Sequence, residues 1–402
     1  MIAMSKFNND KLNKLKAIDS IWRFFYLRPI NNEPKEPIDK NSVQEIVIMA
    51  MMMLGDTIML IPSLKSLKKQ FPKASITLIC GTATKAILDD RNLADKYVIV
   101  KSPWMFHDYS IKNLLQLINS VRIANLNKYD LAIDFRGDWR NIFLMNFIKA
   151  KRKISFNYSG GEYMLTDVIA PNENKIHYID EWLYLTEQLG CVVNEEDRYP
   201  HLNLNEHDKK YLADFKTQHA LYDKLVIGIH PGASVADRKW QESKYADLII
   251  RLAQTYKNCM FVLFQGPGED ETIHKILDII VPMNIKNVIV NVGLQKYLVL
   301  LNSCELLICN DSGAGHIAAA FNIPSVVIFG KSDPATIKPL NKNFIKLISH
   351  RDKIKPEQNK SNGDYLALVT TDEVYTATIG IINDIKSDSN NYMVTHKTST
   401  DV

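Results

Sequence analysis

Short apolar runs alternate with amphipathic stretches along most of the chain, in a rhythm that begins near Gln44. The stretches between the runs repeat their apolar positions every three or four residues, as helices do. The runs occupy residues 46–53, 76–80, 97–100 and 131–135 in the first half and 225–229, 260–264, 288–292, 306–309 and 326–329 in the second. Alternation of this kind predicts α/β architecture, with βαβ units around mainly parallel, buried sheets.

The rhythm stops over a polar, highly charged stretch at residues 194–222, which we interpret as a linker between two domains. Two tandem βα domains facing each other would create a cleft at the carboxyl ends of their strands, where ligands bind in such sheets. The predicted segments are an extension and linker at 1–43, a first domain at 44–193, a second domain at 223–370, a helix at 371–386 and a disordered tail at 387–402.

Composition excludes several classes of protein. The 49 Lys and Arg residues against 45 Asp and Glu leave a formal charge of +4, too balanced for a chain that wraps nucleic acid. The five cysteines are scattered or lie within apolar runs, which favours reduced thiols and argues against disulfides or structural zinc. No run approaches the roughly 18 apolar residues of a spanning helix, and the start lacks a signal-peptide core. We therefore expect a soluble, cytoplasmic protein.

The N-terminal extension carries an aromatic and basic cluster. Its members are Ile21, Trp22, Arg23, Phe24, Phe25, Tyr26, Leu27 and Arg28. Such a helix could lie on an anionic membrane, or it could pack on the core as an appended element. The pattern leaves both interpretations open.

A candidate anion site follows the apolar run at residues 306–309, where the sequence reads Asn-Asp-Ser-Gly-Ala-Gly-His. A strand that delivers a glycine turn into a helix exposes unpaired N–H groups, which favour a phosphate. Asp311, Ser312 and His316 add polar groups beside it. The alternative is an ordinary strand-to-helix turn with no ligand.

In the first domain, Asp56 follows the first strand in the sequence Leu-Gly-Asp-Thr and precedes an amphipathic helix. It could be the N-cap of that helix, or a general base that takes a proton from an attacking hydroxyl. After a later strand, Arg136 and Arg140 could bind an acceptor or lie in a solvated loop.

In the second domain, the first strand ends in His-Pro-Gly-Ala-Ser at residues 230–234, and Arg238, Lys239 and Trp240 follow. Small residues followed by two cations suit a diphosphate. Glu269, after the next strand, could grip ribose hydroxyls or favour the first turn of a helix. The chain has no GxGxxG after its first strand, no Walker loop and no nucleophile elbow, which argues against a dehydrogenase, a kinase and an α/β-hydrolase.

Taken in order, these motifs resemble glycosyltransferase family 9, the bacterial heptosyltransferase family, over roughly residues 44–385. Arg238 stands where the family usually has lysine, and Gly313-Ala314 stands where Gly-Pro is commoner. The matching segments are Leu-Gly-Asp at 54–56, Leu-Ile-Pro-Ser-Leu at 60–64, Phe-Pro at 71–72, His-Pro-Gly-Ala-Ser at 230–234, Lys-Trp at 239–240, Asn-Asp-Ser-Gly at 310–313, His-Ile-Ala-Ala-Ala at 316–320, Ile-Pro at 323–324, Phe-Gly at 329–330 and Asp-Pro at 333–334.

The resemblance implies a GT-B fold, with the acceptor on the first Rossmann-like domain, a nucleotide-sugar on the second, and a C-terminal helix that crosses back. It implies inverting, metal-independent transfer, with Asp56 as general base and with Gly55, Arg136 and Arg140 on the acceptor side. The implied donor site comprises Ser234, Arg238, Lys239, Glu269, Asp311, Ser312, Gly313, Ala314, Gly315 and His316.

The same resemblance implies ADP-heptose as donor and a lipid-anchored lipopolysaccharide core or other glycan as acceptor. It implies no cofactor, no nucleic acid, and peripheral contact with the inner membrane. Two alternatives stay open at this point. One is a nucleotide-sugar epimerase. That activity would require a pair of carboxylates in the donor pocket, which Glu269, Asp270 and Asp311 do not obviously supply. The other is a non-enzymatic homologue that binds a glycan precursor or a protein.

Overall fold

The computed structural model describes residues 9–25, 36–106, 108–234, 238–342, 345–353 and 361–397. The chain forms two compact units, Met1–Arg198 and Tyr199–Val402. The division falls inside the polar stretch that we interpreted as a linker.

The first unit is built on a six-stranded parallel sheet with the strand order β3-β2-β1-β4-β5-β6. This is the order of a Rossmann-type sheet, in which the chain reverses its direction of progress between β1 and β4. The first four strands overlap the predicted runs. The strands are β1 (Glu45–Ala50), β2 (Ser75–Cys80), β3 (Lys96–Ile99), β4 (Tyr129–Asp134), β5 (Ala150–Phe156) and β6 (Asp167–Ile169).

Helices follow the strands of this sheet, and one precedes them. They are α1 (Asn9–Phe25), α2 (Leu54–Gln70), α3 (Thr82–Leu88), α4 (Pro103–Phe106), α5 (Ile111–Ala124), α6 (Trp139–Asn146) and α7 (Tyr178–Gln188), with short 3₁₀ turns at Glu162–Met164 and Glu195–Arg198. Apart from Glu45 at its start, β1 is fully buried, as expected for a central strand covered on both faces.

The second unit repeats the arrangement, with the order β12-β11-β10-β7-β8-β9. Counted within the unit, this is again the Rossmann order, and all the pairings are parallel. The strands are β7 (Leu225–His230), β8 (Cys259–Phe264), β9 (Asn287–Val290), β10 (Leu306–Asn310), β11 (Ser325–Phe329) and β12 (Ile345–Ser349). All five predicted runs of the second half fall on these strands.

In the second unit one helix precedes the first strand, two helices follow the last strand, and the others connect the strands. They are α8 (Glu206–Gln218), α9 (Glu242–Thr255), α10 (Asp270–Ile280), α11 (Leu294–Leu300), α12 (Gly313–Ala320), α13 (Pro334–Ile337), α14 (Asn362–Leu368) and α15 (Thr371–Lys397), with 3₁₀ turns at Val281–Met283, Leu301–Ser303 and Arg351–Lys353.

Two predicted boundaries differ from the structure. The predicted linker contains α8, whose N-cap Asn205 forms a capping box with Asp208. None of its residues is buried, which is why its composition reads as a linker. The last helix runs to Lys397 rather than ending near residue 386, and its Val374, Ile381 and Ile382 belong to the hydrophobic core of the second unit. The implied crossing back to the first domain stays a prediction.

Over the residues described, no helix combines the length and the hydrophobicity that crossing a membrane requires. The predicted N-terminal cluster is described only in part. Tyr26, Leu27 and Arg28 lie outside the described residues, and the side chain of Phe25 does too.

Candidate active site

Both sheets have a topological switch point, where ligands of Rossmann-type domains bind beside the carboxyl ends of the strands. In the first unit this point lies between β1 and β4, and in the second between β7 and β10. The segments that follow these four strands include Asp56, Arg136, residues 231–234 and 238–240, and residues 311–315. The motifs singled out in the sequence therefore fall at the positions where a ligand is expected in each domain.

Asp56 is not the N-cap of its helix, contrary to that interpretation of the sequence. Helix α2 begins at Leu54 with Met53 as its N-cap, so Asp56 lies in the first turn. Its Oδ2 accepts a hydrogen bond from Arg136 Nη1 at 2.5 Å. The pair joins residues 80 positions apart, because β1 and β4 are neighbours in the sheet. Both side chains keep some exposure, 18% for Asp56 and 29% for Arg136.

The surroundings keep the guanidinium of Arg136 charged. Burial lowers the pKa of Arg136, but the negative field of Asp56 and Asp138, with Tyr178 and Asp134 adding to it, raises the pKa well above its usual value. Burial, followed by the field of Asp56, raises the pKa of Tyr178 to about 12. Asp56 therefore lies beside a permanent cation and near a neutral phenol, while part of its carboxylate faces solvent.

The other predicted acceptor residue, Arg140, is engaged locally. Its Nε donates to Asp138 Oδ1 at 2.8 Å, and its guanidinium lies over the Trp104 ring at 5.5 Å. The turn that separates Arg136 from Asp138 depends on Gly137, which has φ +60° and would place a Cβ 2.6 Å from the Tyr158 ring. A role for Arg140 or Gly55 in binding an acceptor stays a prediction.

Beneath the ion pair, Asp134 ends β4 with a fully buried carboxyl group. It accepts hydrogen bonds from Asn141 Nδ2 at 2.8 Å and from Ser155 Oγ at 2.9 Å. Burial raises the pKa of Asp134 to about 6, with the nearby Asp138 charge acting in the same direction. This buried network fixes the end of β4, from which Arg136 projects.

In the second unit, Asn310 at the end of β10 organises the loop after β7. Its Oδ1 accepts from the Trp240 N–H at 3.1 Å and from the Tyr245 hydroxyl at 3.0 Å. Its Nδ2 donates to the carbonyl groups of Pro231 at 2.7 Å and Gly232 at 3.3 Å. The sequence motif begins at Asn310, but sequence reasoning gave this residue no role. The one available signal is a polar amide that ends an apolar strand.

Glu269, which follows β8, packs its side chain against the loop after β7. Its side chain is buried, and its Oε2 accepts from the Gly266 N–H at 2.7 Å and lies 4.0 Å from His230 Nε2. His230 Nδ1 is hydrogen-bonded to the Tyr297 hydroxyl at 3.3 Å. Burial lowers the pKa of His230, although the negative charge of Glu269 acts in the opposite direction. The lowered pKa favours a neutral imidazole. The predicted contact of Glu269 with ribose stays a prediction.

Gly232 makes this packing possible, and its replacement provides a test. A Cβ at this position would lie 1.8 Å from Glu269 Oε1, so Gly232→Ala must displace a buried, hydrogen-bonded carboxylate. We expect a loss of about 1–3 kcal/mol in the free energy of unfolding, measured by urea denaturation. Adding Glu269→Ala removes the obstacle, so the double variant should be more stable than the sum of the two single effects predicts.

The matched control is Gly380→Ala within α15, where a Cβ meets nothing within 4 Å. A helix-interior glycine replaced by alanine should gain about 0.5–1 kcal/mol. Additive effects of Gly232→Ala and Glu269→Ala would show that the two positions are not in contact as described.

The two cations of the loop lie near different groups. Lys239 Nζ donates to Thr272 Oγ1 in the first turn of α10 at 3.3 Å. Arg238 is close enough to Asp311 to lower the pKa of that carboxyl group, although burial raises it overall. The predicted Ser234 lies on the exposed part of the loop, and residues 235–237 lie outside the described residues.

Helix α12 begins at Gly313, with Ser312 as an N-cap whose side chain makes no capping bond. The Ser312 hydroxyl oxygen is buried and has no hydrogen-bond partner among the described residues. His316 is buried within the helix. Gly315 lets the helix approach its neighbours, since a Cβ there would lie 3.3 Å from Pro339. The N–H groups of residues 313–315 belong to the first turn of α12, and the N-terminus of a helix favours an anion.

No three His, Cys, Asp or Glu side chains converge into a metal-binding group in the part of the chain that the structure describes. Two tandem Rossmann-like domains, each with polar loops at its switch point, form an architecture that nucleotide-sugar transferases share with other enzymes. A sequence model of glycosyltransferase family 9 (heptosyltransferase) matches residues 119–366, more than half of the chain. The chain belongs to this family and is a glycosyltransferase.

Curated proteins and solved structures agree with this assignment. The chain is 25% identical over 339 residues to lipopolysaccharide heptosyltransferase 3 of Escherichia coli K12, covering 81% of this chain and 94% of that one. It is similar in structure to the family 9 glycosyl transferase of Veillonella parvula, with a TM-score of 0.71 and 22% identity, covering 87% and 99% of the two chains. It is similar to the E. coli heptosyltransferase WaaC with ADP at a TM-score of 0.63 and 15% identity, covering 83% and 98%. The predicted GT-B fold is confirmed.

Proposed function

We propose that this protein transfers heptose from ADP-heptose to a hydroxyl group of a lipopolysaccharide-core acceptor, with inversion at the anomeric carbon and without a metal ion. The observation that carries the proposal is Asp56, a partly exposed carboxylate at the switch point of the first domain and paired with Arg136. The names of the relatives, which include lipopolysaccharide heptosyltransferases, support the sugar and the acceptor class. A neighbour in structure that carries ADP supports the nucleotide.

In this mechanism Asp56 accepts the proton of the acceptor hydroxyl as the oxygen attacks the anomeric carbon. The new C–O bond forms on the face opposite the departing ADP, and the bond between the anomeric carbon and the phosphate oxygen breaks. Arg136 fixes the orientation of the carboxylate through its hydrogen bond to Oδ2. The other oxygen, Oδ1, is the one we assign to the acceptor.

In the second domain, Arg238 and Lys239 would neutralise the negative charge that develops on ADP. The N–H groups at the start of α12 and the Ser312 hydroxyl would hold a phosphate oxygen. Asp311, beside Arg238, would help to shape the donor pocket. Cations and a helix terminus aimed at the leaving group would supply the stabilisation that a divalent metal supplies in other transferases. We place the reaction at the cytoplasmic face of the inner membrane, where a lipid-anchored core would be the acceptor.

Nucleotide selectivity tests the donor. The purified protein is heated with ADP, UDP, GDP or CMP, and a ligand that binds only the folded state raises the unfolding temperature. We expect a selective increase with ADP, corresponding to about 2.7 kcal/mol at a hundred times the dissociation constant. The increase should be lost in Arg238→Ala/Lys239→Ala and kept in Lys257→Ala, an exposed lysine of the same domain. An increase with UDP or GDP alone would contradict the ADP-heptose assignment, and no increase with any nucleotide would contradict the donor site.

A further inference from the structure

Helix α5 presents its apolar side chains outward. The face that packs on the domain consists of Asn113, Leu117, Ser120 and Ala124, two of which are polar. The opposite face carries Ile111, Leu114, Leu115 and Ile118, all exposed, with Ile111 at 78%. A surface helix ordinarily buries its apolar side chains and exposes its polar ones. An exposed apolar face of this kind indicates a binding surface.

The exposed apolar surface continues beyond the end of α5. Leu126 is 84% exposed, and the preceding Asn125 donates from Nδ2 to the Phe147 carbonyl at 2.7 Å. The half-exposed Phe147 ring lies 5.2 Å from that of Phe143. Phe143 in turn lies 5.0 Å from Trp22 of α1. A row of three aromatic rings therefore runs from Trp22 of α1 to Phe147, whose carbonyl group is hydrogen-bonded to Asn125 at the end of α5.

Helix α1 is fixed to the first domain by one face and exposes the other. Leu12 and Leu15 are buried, and Asp19 Oδ1 accepts from Trp139 Nε1 at 2.6 Å. The next turn exposes Ile21 and Phe24, the latter at 81%. Both interpretations of the N-terminal cluster therefore have a physical basis, because packing uses one side of the helix and leaves aromatic side chains on the other.

We call the exposed set the apolar strip. It comprises Ile21, Trp22, Phe24, Ile111, Leu114, Leu115, Ile118, Leu126 and Phe147.

Among the side chains that the structure describes, the charges around the apolar strip are mostly positive. Helix α5 contains no Asp or Glu, and neither does α6. The nearest described acidic side chains are buried or paired, since Asp19 is buried, Glu162 pairs with Arg23, and Asp108 pairs with Lys101. The exposed cations of the three helices and their adjoining loops are Lys14, Lys16, Lys112, Arg122, Lys128 and Lys149.

We propose that the apolar strip is the surface through which the first domain binds an anionic phospholipid membrane, with α5 lying in the plane of the interface. Aliphatic and aromatic side chains would enter the boundary between headgroups and acyl chains, and the surrounding cations would attract the lipid phosphates. The inference deepens the proposed function, because a lipid-anchored acceptor places the first domain at such a surface. It rests on different residues from the proposed active site.

Sedimentation with lipid vesicles tests the proposal. The full chain is mixed with vesicles of phosphatidylglycerol and phosphatidylcholine in equal parts, or of phosphatidylcholine alone. We expect binding to the anionic vesicles that weakens as salt rises, since screening reduces surface electrostatics. Leu115→Glu/Ile118→Glu should weaken this binding by at least about tenfold. Lys112→Glu/Arg122→Glu should weaken it and reduce its dependence on salt.

The matched control is Val192→Glu, a substitution at an exposed apolar residue of the first unit outside the apolar strip. It should bind vesicles like the wild type. Equal binding by Leu115→Glu/Ile118→Glu, equal loss in Val192→Glu, or no binding by the wild type would overturn the proposal. So would a wild-type dimer that ignores vesicles and becomes monomeric in Leu115→Glu/Ile118→Glu, because the surface would then join two copies. The stabilisation by ADP, measured on the same variants, reports separately on the proposed function.

Discussion

Replacing Asp56 by asparagine is expected to lower the rate of sugar transfer by roughly 10²–10⁴-fold, with little change in donor affinity. The amide keeps the size of the side chain and can still accept a hydrogen bond from Arg136, but it cannot take a proton from the acceptor hydroxyl. The proposed donor cations, Arg238 and Lys239, belong to the second domain, and the substitution leaves them unchanged. A rapid-quench assay at saturating donor and acceptor measures the chemical step directly.

The control for this variant is Glu45→Gln, at the opposite end of strand β1. Glu45 is paired with Lys96 on the surface at 3.1 Å, and an exposed pair of this kind contributes little to stability. The control should therefore transfer sugar at the wild-type rate. If Asp56→Asn did so too, the assignment of the general base would be wrong, although the fold and the family would stand.

Replacing Asn310 by alanine is expected to destabilise the second domain by about 2–4 kcal/mol and to weaken ADP binding by more than about tenfold. The amide serves two donors and two backbone acceptors in a buried site. Its removal leaves the Trp240 N–H and the Pro231 carbonyl without that partner, where water has poor access. The loop that carries Arg238 and Lys239 would lose its connection to β10. Urea denaturation and titration calorimetry measure the two effects separately.

Asn302→Ala provides the comparison. Asn302 is partly buried, and its Nδ2 donates one hydrogen bond, to the Leu298 carbonyl at 2.9 Å. Its cost should be about 1 kcal/mol, with normal ADP binding. Should Asn310→Ala bind ADP as tightly as the wild type, the loop would not need this anchor, and the geometry we assign to the donor site would be incorrect.

The sequence was sufficient for the central strands of both sheets, because strands that are buried on both faces must be continuously apolar. It was insufficient for β5, β6 and β12, which lie at or next to sheet edges and carry charged residues. Residues 150–153 at the start of β5 include Lys151, Arg152 and Lys153, so no apolar run is visible there. Helix α8 was missed for a related reason: none of its residues is fully buried, and its partly buried stripe, with Tyr211, Leu212 and Phe215, is short and lies among many charged residues.

The sequence suggests candidate residues for the site but not the contacts among them. Position after a strand singled out Asp56, Arg136, Arg238 and Lys239 as candidates, and their roles stay predictions. The pairing of Asp56 with Arg136 follows from the adjacency of β1 and β4, and the order of strands in a sheet cannot be read from apolar periodicity. The inward orientation of Glu269 likewise depends on the lack of a Cβ at Gly232. This dependence cannot be read from the sequence, because the two residues lie on different loops that meet only in the folded domain.

The sequence also does not predict which face of α5 packs against the domain. Its Ile and Leu residues predict a helix, but they surround much of its circumference, so periodicity does not select the face that packs. The structure buries the stripe that contains Asn113 and Ser120 and exposes the richer apolar face. One of the two interpretations of the N-terminal cluster was a membrane-binding element, and our proposal extends that interpretation to a surface formed by three helices.

The most direct test of the account is the stoichiometry of one reaction. The full chain is incubated with ADP-heptose and a heptose-deficient lipopolysaccharide core. The ADP released and the heptose joined to the core are measured by mass spectrometry, and the configuration of the sugar is determined by NMR spectroscopy. We predict one heptose transferred for each ADP released, with the anomeric configuration inverted in the product. Conversion of ADP-heptose to an epimer without release of ADP, or no reaction while ADP-heptose binds, would contradict the proposed transfer.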